Sequence, residues 1–161
     1  AKLLGGFDCR ILYYDVRRLQ PDQETALGLE YASVDTVIRE SDAVSLHMPL
    51  TPETRELFTY ETFKSMRRDA VLINCARGEL VKEKDLVRAL EENLILGAGL
   101  DVFEHEPLET GSPLKKLDNV ILTPHVGGST INNMQLRAER IRNNLNAFEK
   151  GGDILPSDII T

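Results

Sequence analysis

Short apolar runs alternate with longer amphipathic stretches along most of the chain. Five runs have the length of strands: RILYYD (10–15), which ends in an acid, AVSLHMP (43–49), which is stopped by proline, AVLINC (70–75), LILGAGLDV (94–102) and NVILTPH (119–125). In the third, residues 70–73 are uninterrupted and apolar, which predicts a strand buried on both faces. Between the runs lie helix-like segments, SVDTVIRE, TYETFKSM and EKDLVRALEEN, the last with Leu86, Val87 and Leu90 on one face. Residues 130–150 predict one long amphipathic helix. Ile131, Met134, Ala138, Ile141, Leu145 and Phe148 recur in it at steps of three and four, and Gly151–Gly152 closes it. The residues after it, DILPSDIIT, read as an extended segment.

Strands alternating with helices of this length imply parallel βαβ units, so the expected class is α/β, a doubly wound parallel sheet of Rossmann type. In such sheets ligands bind outside the carboxyl ends of the strands. The unusual polar residues fall there: Asp15, His47, Arg77, Asp101 and His125.

Composition narrows the function classes. The 161 residues suffice for one domain with a real core. Hydrophobic residues at 42% and charged residues at 28% fit a globular chain. The net charge of −7, with no Lys/Arg block, argues against a nucleic-acid partner. Apolar runs of strand length span no membrane. Two cysteines, Cys9 and Cys75, form neither a disulfide framework nor a metal motif, and three histidines without a cluster leave no metal site. Free thiols and the lack of a leader pattern suit a cytoplasmic protein.

Asp15, at a strand end, is an acceptor for adenosine ribose hydroxyls in a dinucleotide fold, or a solvated turn residue. Its charge would repel a 2′-phosphate, and Arg17 and Arg18 just after it would soften that repulsion. The glycine-rich phosphate loop of such folds is not in the sequence. AKLLGGF (1–7) resembles the helix that follows such a loop, so the first strand and its loop are expected to be lacking here. Without that strand, the run at 10–15 and the run at 43–49 would present two inner edges. The slot between them is expected to be filled by other chain, by a partner, or by collapse of the two edges. Arg77 carries a charge that deprotonation cannot relieve, and either pairs with Glu79 or Asp101 or awaits an anion. Glu106 before a proline and His125 ahead of two glycines each read singly as ordinary surface or structural residues. Together at the strand ends of one sheet they form a candidate acid–base constellation.

NCARGELV, GLDVFEHEP and NVILTPHVGGST resemble the signature segments of the D-isomer-specific 2-hydroxyacid dehydrogenases, including phosphoglycerate dehydrogenase. The likeness runs from residue 1 to about 150 in the family's order and covers the NAD-binding domain alone. It therefore assigns residues 1–150 to that domain, N-terminally incomplete, and 151–161 to an extension toward a substrate domain.

The resemblance implies NAD as cofactor, a small 2-oxo or 2-hydroxy acid as substrate and a homodimer. It implies that Arg77 binds the substrate carboxylate and polarises the carbonyl, that His125 is the general acid–base, and that Glu106 pairs with the other ring nitrogen. By the same correspondence Asp101 holds the nicotinamide carboxamide, while Cys75, Ala76, Arg77, His125, Gly127 and Gly128 line the cofactor. His47, Met48 and Pro49 lie toward its adenosine side, and His105 belongs to the surface. Two other readings stay open: a dinucleotide-sensing protein like the corepressors that resemble this family, and an inactive fragment.

Overall fold

The computed structural model describes residues 1–152 and 154. The chain divides into two units, Ala1–Pro124 and His125–Thr161. In the first, four parallel strands form one sheet in the order β3-β4-β5-β6: β3 (Ala43–Leu46), β4 (Val71–Asn74), β5 (Gly97–Leu100) and β6 (Val120–Leu122). A second parallel pair joins β1 (Ile11–Tyr13) to β2 (Leu29–Tyr31). Parallel strands with helical crossovers are the expected α/β, Rossmann-like arrangement.

Register explains the core. Val44, Leu72, Ala98 and Val120 lie in one row across the sheet, and Leu46, Asn74, Leu100 and Leu122 in another. Side chains two apart share a face, so both rows point the same way. They meet Ile38 of α2 (Val34–Glu40), Phe63 of α3 (Tyr60–Ser65) and Leu86 and Leu90 of α4 (Glu83–Glu91) in a single core. The intervening row, Ser45, Ile73, Gly99 and Ile121, faces the other way. Ile73 is 37% exposed and Ile121 74%. Residues 70–73 are thus not buried on both faces as expected, because the helices that cover the sheet in this unit pack on one side of it.

The run at 94–102 is also shorter as a strand than expected. Asn93 takes a left-handed backbone (φ 53°), and the Leu94 N–H bonds back to the Ala89 carbonyl, so residues 94–96 finish the exit from α4 before β5 begins. Ile95 is fully buried within that connection. At the start of the chain, the helix expected over 1–7 is one 3₁₀ turn, Leu4–Phe7, with no buried residue. Two elements have no counterpart in the hydrophobic pattern, β2 and α1 (Pro21–Leu27). The sequence PDQETAL has no apolar stripe; its helix is set by its ends. Pro21 sits in the first turn, Gln23 Oε1 accepts from the Gln20 N–H at 3.1 Å, and Gly28 closes the helix at φ 64°.

Backbone pairing stops at β1 on one sheet and at β3 on the other, and these two strands are not paired with each other. In the second unit α5 (Ile131–Glu149) is the expected long helix, capped by the Thr130 side chain on the Asn133 N–H. Its apolar residues Ile131, Met134, Ile141, Leu145 and Phe148 are all exposed. The extended segment expected after Gly152 lies, Ile154 apart, outside the described residues.

Backbone approaches backbone closely at Gly78, which opens the 3₁₀ turn Gly78–Leu80. A Cβ there would lie 1.9 Å from the Phe103 carbonyl oxygen, an approach no side chain can make. Gly78→Ala is expected to lower stability by about 3 kcal/mol through overpacking against rigid backbone, read as a shifted urea midpoint.

Candidate functional site

The carboxyl end of β4 is built around Asn74. This residue is 1% exposed, and both ends of its amide are used: Oδ1 accepts from the Ala76 N–H at 3.0 Å and Nδ2 donates to the Arg77 carbonyl at 2.8 Å. The strand is thereby folded into a short loop carrying Cys75, Ala76 and Arg77. The loop's exit is held too. The Phe58 N–H bonds the Leu80 carbonyl, the Lys82 N–H bonds the Phe58 carbonyl, and the Glu56 N–H bonds the Glu79 carbonyl.

The neighbouring loop after β5 joins this one through backbone. The Asp101 N–H donates to the Asn74 carbonyl at 2.9 Å, and Gly78 lies against Phe103. Asp101 is buried, and its carboxylate accepts from the Thr123 hydroxyl. Glu106 folds back on its own loop, accepting from the Phe103 N–H at 3.1 Å. Glu104 accepts from the Glu83 N–H at the start of α4. Partial burial and the nearby Glu104 charge push the Glu83 carboxyl above its ordinary value.

Arg77 itself is exposed rather than buried. Its guanidinium donates to the Ala76 carbonyl at 2.6 Å and forms no ion pair among the described residues. Pairing with Glu79 or Asp101, open in the sequence, does not occur. Arg77, Asp101 and Glu106 therefore stand on two adjoining, mutually anchored loops. His47 follows β3, exposed, with its Nε2 2.9 Å from the Ser45 hydroxyl. Met48 packs against the core, and the Pro49 carbonyl accepts from Thr54. Cys75 and His105 are exposed, Cys75 as a free thiol.

In the second unit His125 has a left-handed backbone, φ 54°. A non-glycine residue there costs on the order of 1 kcal/mol and is seen where surrounding structure demands it. The turn that follows is closed by the Ser129 N–H on the Val126 carbonyl and by Asn133 Nδ2 on the Gly128 carbonyl at 2.7 Å.

Asp15 lies two residues beyond β1, exposed, with Oδ1 accepting from the Arg17 N–H at 2.8 Å. Beside it is a knot that the sequence reading missed. Glu24 of α1 accepts from the Tyr13 hydroxyl at 2.7 Å and from Arg18 Nε and Nη2 at 2.8 and 3.0 Å. These bonds, Arg18 first and Tyr13 second, hold the Glu24 carboxyl down at about 2. The only signal in the sequence is an acid six residues after an arginine, which is too common to single out. Asn74 is missed for a similar reason, as an asparagine ending an apolar run looks like any turn residue.

The family described as D-isomer specific 2-hydroxyacid dehydrogenase, NAD binding domain, matches residues 1–127. The chain belongs to this family. A glyoxylate reductase of Thermofilum pendens is 48% identical over 152 residues, covering 94% of this chain and 44% of that protein. The NAD-complexed D-isomer specific 2-hydroxyacid dehydrogenase of Lactobacillus delbrueckii ssp. bulgaricus superposes with a TM-score of 0.86 at 33% identity, over 100% of this chain and 51% of that one. A Granulicella formate dehydrogenase gives a TM-score of 0.93 at 30% identity, over 99% and 43%. The chain spans about half the length of the relatives it matches.

This dehydrogenase domain binds NAD, and its donor set fits part of that molecule. An exposed carboxylate at the end of β1 suits a ribose diol, and the buried polar end of β5 suits an amide. Among the described residues no G-x-G-x-x-G sequence follows a strand, so the usual pyrophosphate cradle is not among them. No group of three metal-ligating side chains occurs among the described residues, and no described helix is long and apolar enough to cross a membrane.

The Glu24 knot has a pH signature. A carboxyl depressed in the fold stabilises it above its ordinary value of 4.5, and the contribution is lost as pH falls toward about 2. Acid unfolding of the complete protein is expected to begin at higher pH than that of Glu24→Gln relative to each variant's own neutral-pH stability. Parallel pH–stability slopes between pH 5 and 2 would contradict it.

Proposed function

We propose that the complete protein is an NAD-dependent oxidoreductase interconverting a small 2-oxo acid and its D-2-hydroxy acid, with this chain supplying the cofactor domain and the acid–base groups. The observation that carries the reading is Arg77, a guanidinium without an ion pair among the described residues, on a loop anchored on both sides at the carboxyl edge of the sheet. Its planar fork suits a carboxylate.

The chemistry that NAD(H) would supply when bound is hydride transfer to or from the substrate carbon. Arg77 holds the substrate carboxylate and polarises the adjacent carbonyl. His125 gives a proton to the carbonyl oxygen during reduction and takes it back during oxidation. Glu106 holds the other ring nitrogen, fixing the tautomer and favouring the protonated imidazole. Asp15 accepts from the adenosine ribose, Asp101 supports the nicotinamide end, and His47, Met48 and Pro49 flank the adenosine. Cys75, Ala76, Gly127 and Gly128 complete the lining. Relatives named glyoxylate reductase make glyoxylate the first substrate to test. A homodimer in the cytoplasm fits this reading. The corepressor-like alternative gains nothing from relatives that are named as enzymes.

We also read the open edges of β1 and β3 as flanking one further parallel strand of the complete protein. Hydrogen exchange tests this: alternate amides of both strands, those without a partner among the described residues, are expected to exchange slowly in the complete protein. Fast exchange at all of them would leave the slot empty.

The catalytic assignment is tested by steady-state kinetics on the complete protein with a panel of 2-oxo acids, glyoxylate included. His125→Ala is expected to lower turnover by about 10²–10⁴-fold while the NADH dissociation constant stays nearly unchanged. Arg77→Lys is expected to raise KM and slow turnover together, because an ammonium cannot reproduce the two-point clamp. Unchanged kinetics in either variant removes that residue from its role.

A further inference from the structure

The loop after β1 carries one acid and two arginines, and the structure gives the arginines different tasks. The Arg17 main-chain N–H fixes the Asp15 carboxylate at 2.8 Å. The Arg18 side chain turns away from that carboxylate onto the Glu24 knot. It lies 4.9 Å from the Tyr31 ring centroid and makes two charge-assisted bonds to Glu24. Glu24 is nearly buried, and the Tyr13 hydroxyl, which donates to it, accepts in turn from the Leu19 N–H at 2.9 Å. Tyr13 and Tyr31 meet edge to face at 5.4 Å, so β1, β2 and α1 all contribute to holding one guanidinium.

We propose that Glu24 is a cofactor-specificity residue acting at one remove: by sequestering Arg18 it leaves Asp15 to set the charge that faces the adenosine 2′ position. The proposal rests on the reading of Asp15 as the ribose acceptor. Glu24 touches no cofactor in this scheme and positions another side chain. With Glu24 ionised, the group Asp15, Arg17, Arg18 and Glu24 carries two positive and two negative charges. Without it, two cations stand against one anion in a loop where a 2′-phosphate would add about two negative charges, and a released arginine three residues from Asp15 has the length to meet it. Preference for NAD over NADP thus depends on an acid in α1 as well as on the one at the strand end.

The test is fluorescence titration of the complete protein with NADH and NADPH, comparing ratios of dissociation constants. Glu24→Gln keeps the side-chain volume and an acceptor for Tyr13 while removing the charge. It is expected to shift the ratio toward NADPH by about tenfold, the scale of one charge-assisted hydrogen bond from the released Arg18 to the 2′-phosphate. Arg18→Gln alone is expected to leave the ratio within about twofold, since Arg18 is already occupied, and Glu24→Gln with Arg18→Gln is expected to return it to the starting value. Asp15→Ser separates this proposal from the reading beneath it. If Asp15→Ser shifts the ratio and Glu24→Gln, folded and binding NADH, does not, the role of Glu24 is overturned alone. If Asp15→Ser leaves the ratio unchanged, the ribose reading falls and the proposal with it. A several-fold loss of NADPH affinity in Arg18→Gln alone would show that Arg18 is not sequestered, and would also overturn it.

Discussion

The carboxyl edge of the four-stranded sheet depends on one buried amide. Asn74 sits where β4 must stop, almost without access to water, and an unsatisfied amide there would cost about 1–3 kcal/mol. Both its donor and its acceptor are satisfied locally, by a curl of the chain that points the Ala76 N–H and the Arg77 carbonyl back at it. That curl presents Arg77. The Asn74 main-chain carbonyl takes the Asp101 N–H, so the loop after β5 starts from the same anchor. Gly78 then lets the two loops touch through backbone. A requirement of hydrogen-bond satisfaction in the core is thus turned into the placement of polar groups at the surface.

Charge is distributed with a corresponding division. Arg10, Arg18, Arg39, Arg67 and Arg88 each have a carboxylate partner, and most of these pairs are exposed ones of small energetic weight. Arg77 has none among the described residues, although the chain carries a net charge of −7. Because it is exposed, leaving it unpaired costs little; its attraction for an anion strengthens when a ligand excludes water from it. The pairing of Arg18 has the opposite consequence, directing a cation onto the Glu24 carboxylate through its Nε and Nη2 donors. Two arginines that look alike in sequence therefore differ in availability, and the difference is geometric.

Much of this molecule is written in local sequence. The runs at 43–49, 70–75 and 119–125 hold the strands β3, β4 and β6, and the three-and-four spacing of Ile131 to Phe148 marks α5, because hydrophobic periodicity is a property of consecutive residues. The strings around Arg77, Glu106 and His125 were enough to indicate the family. Tertiary structure alone decided the rest. It left Ile73 and Ile121 open by packing the helices of the first unit on one face of the sheet, and made β2 a strand by pairing it with β1. It also gave Arg18 to Glu24 and left Arg77 without an acid among the described residues. Periodicity specifies which residues can share an element, but the partner of a strand edge or of a charge is set by which elements the fold brings side by side.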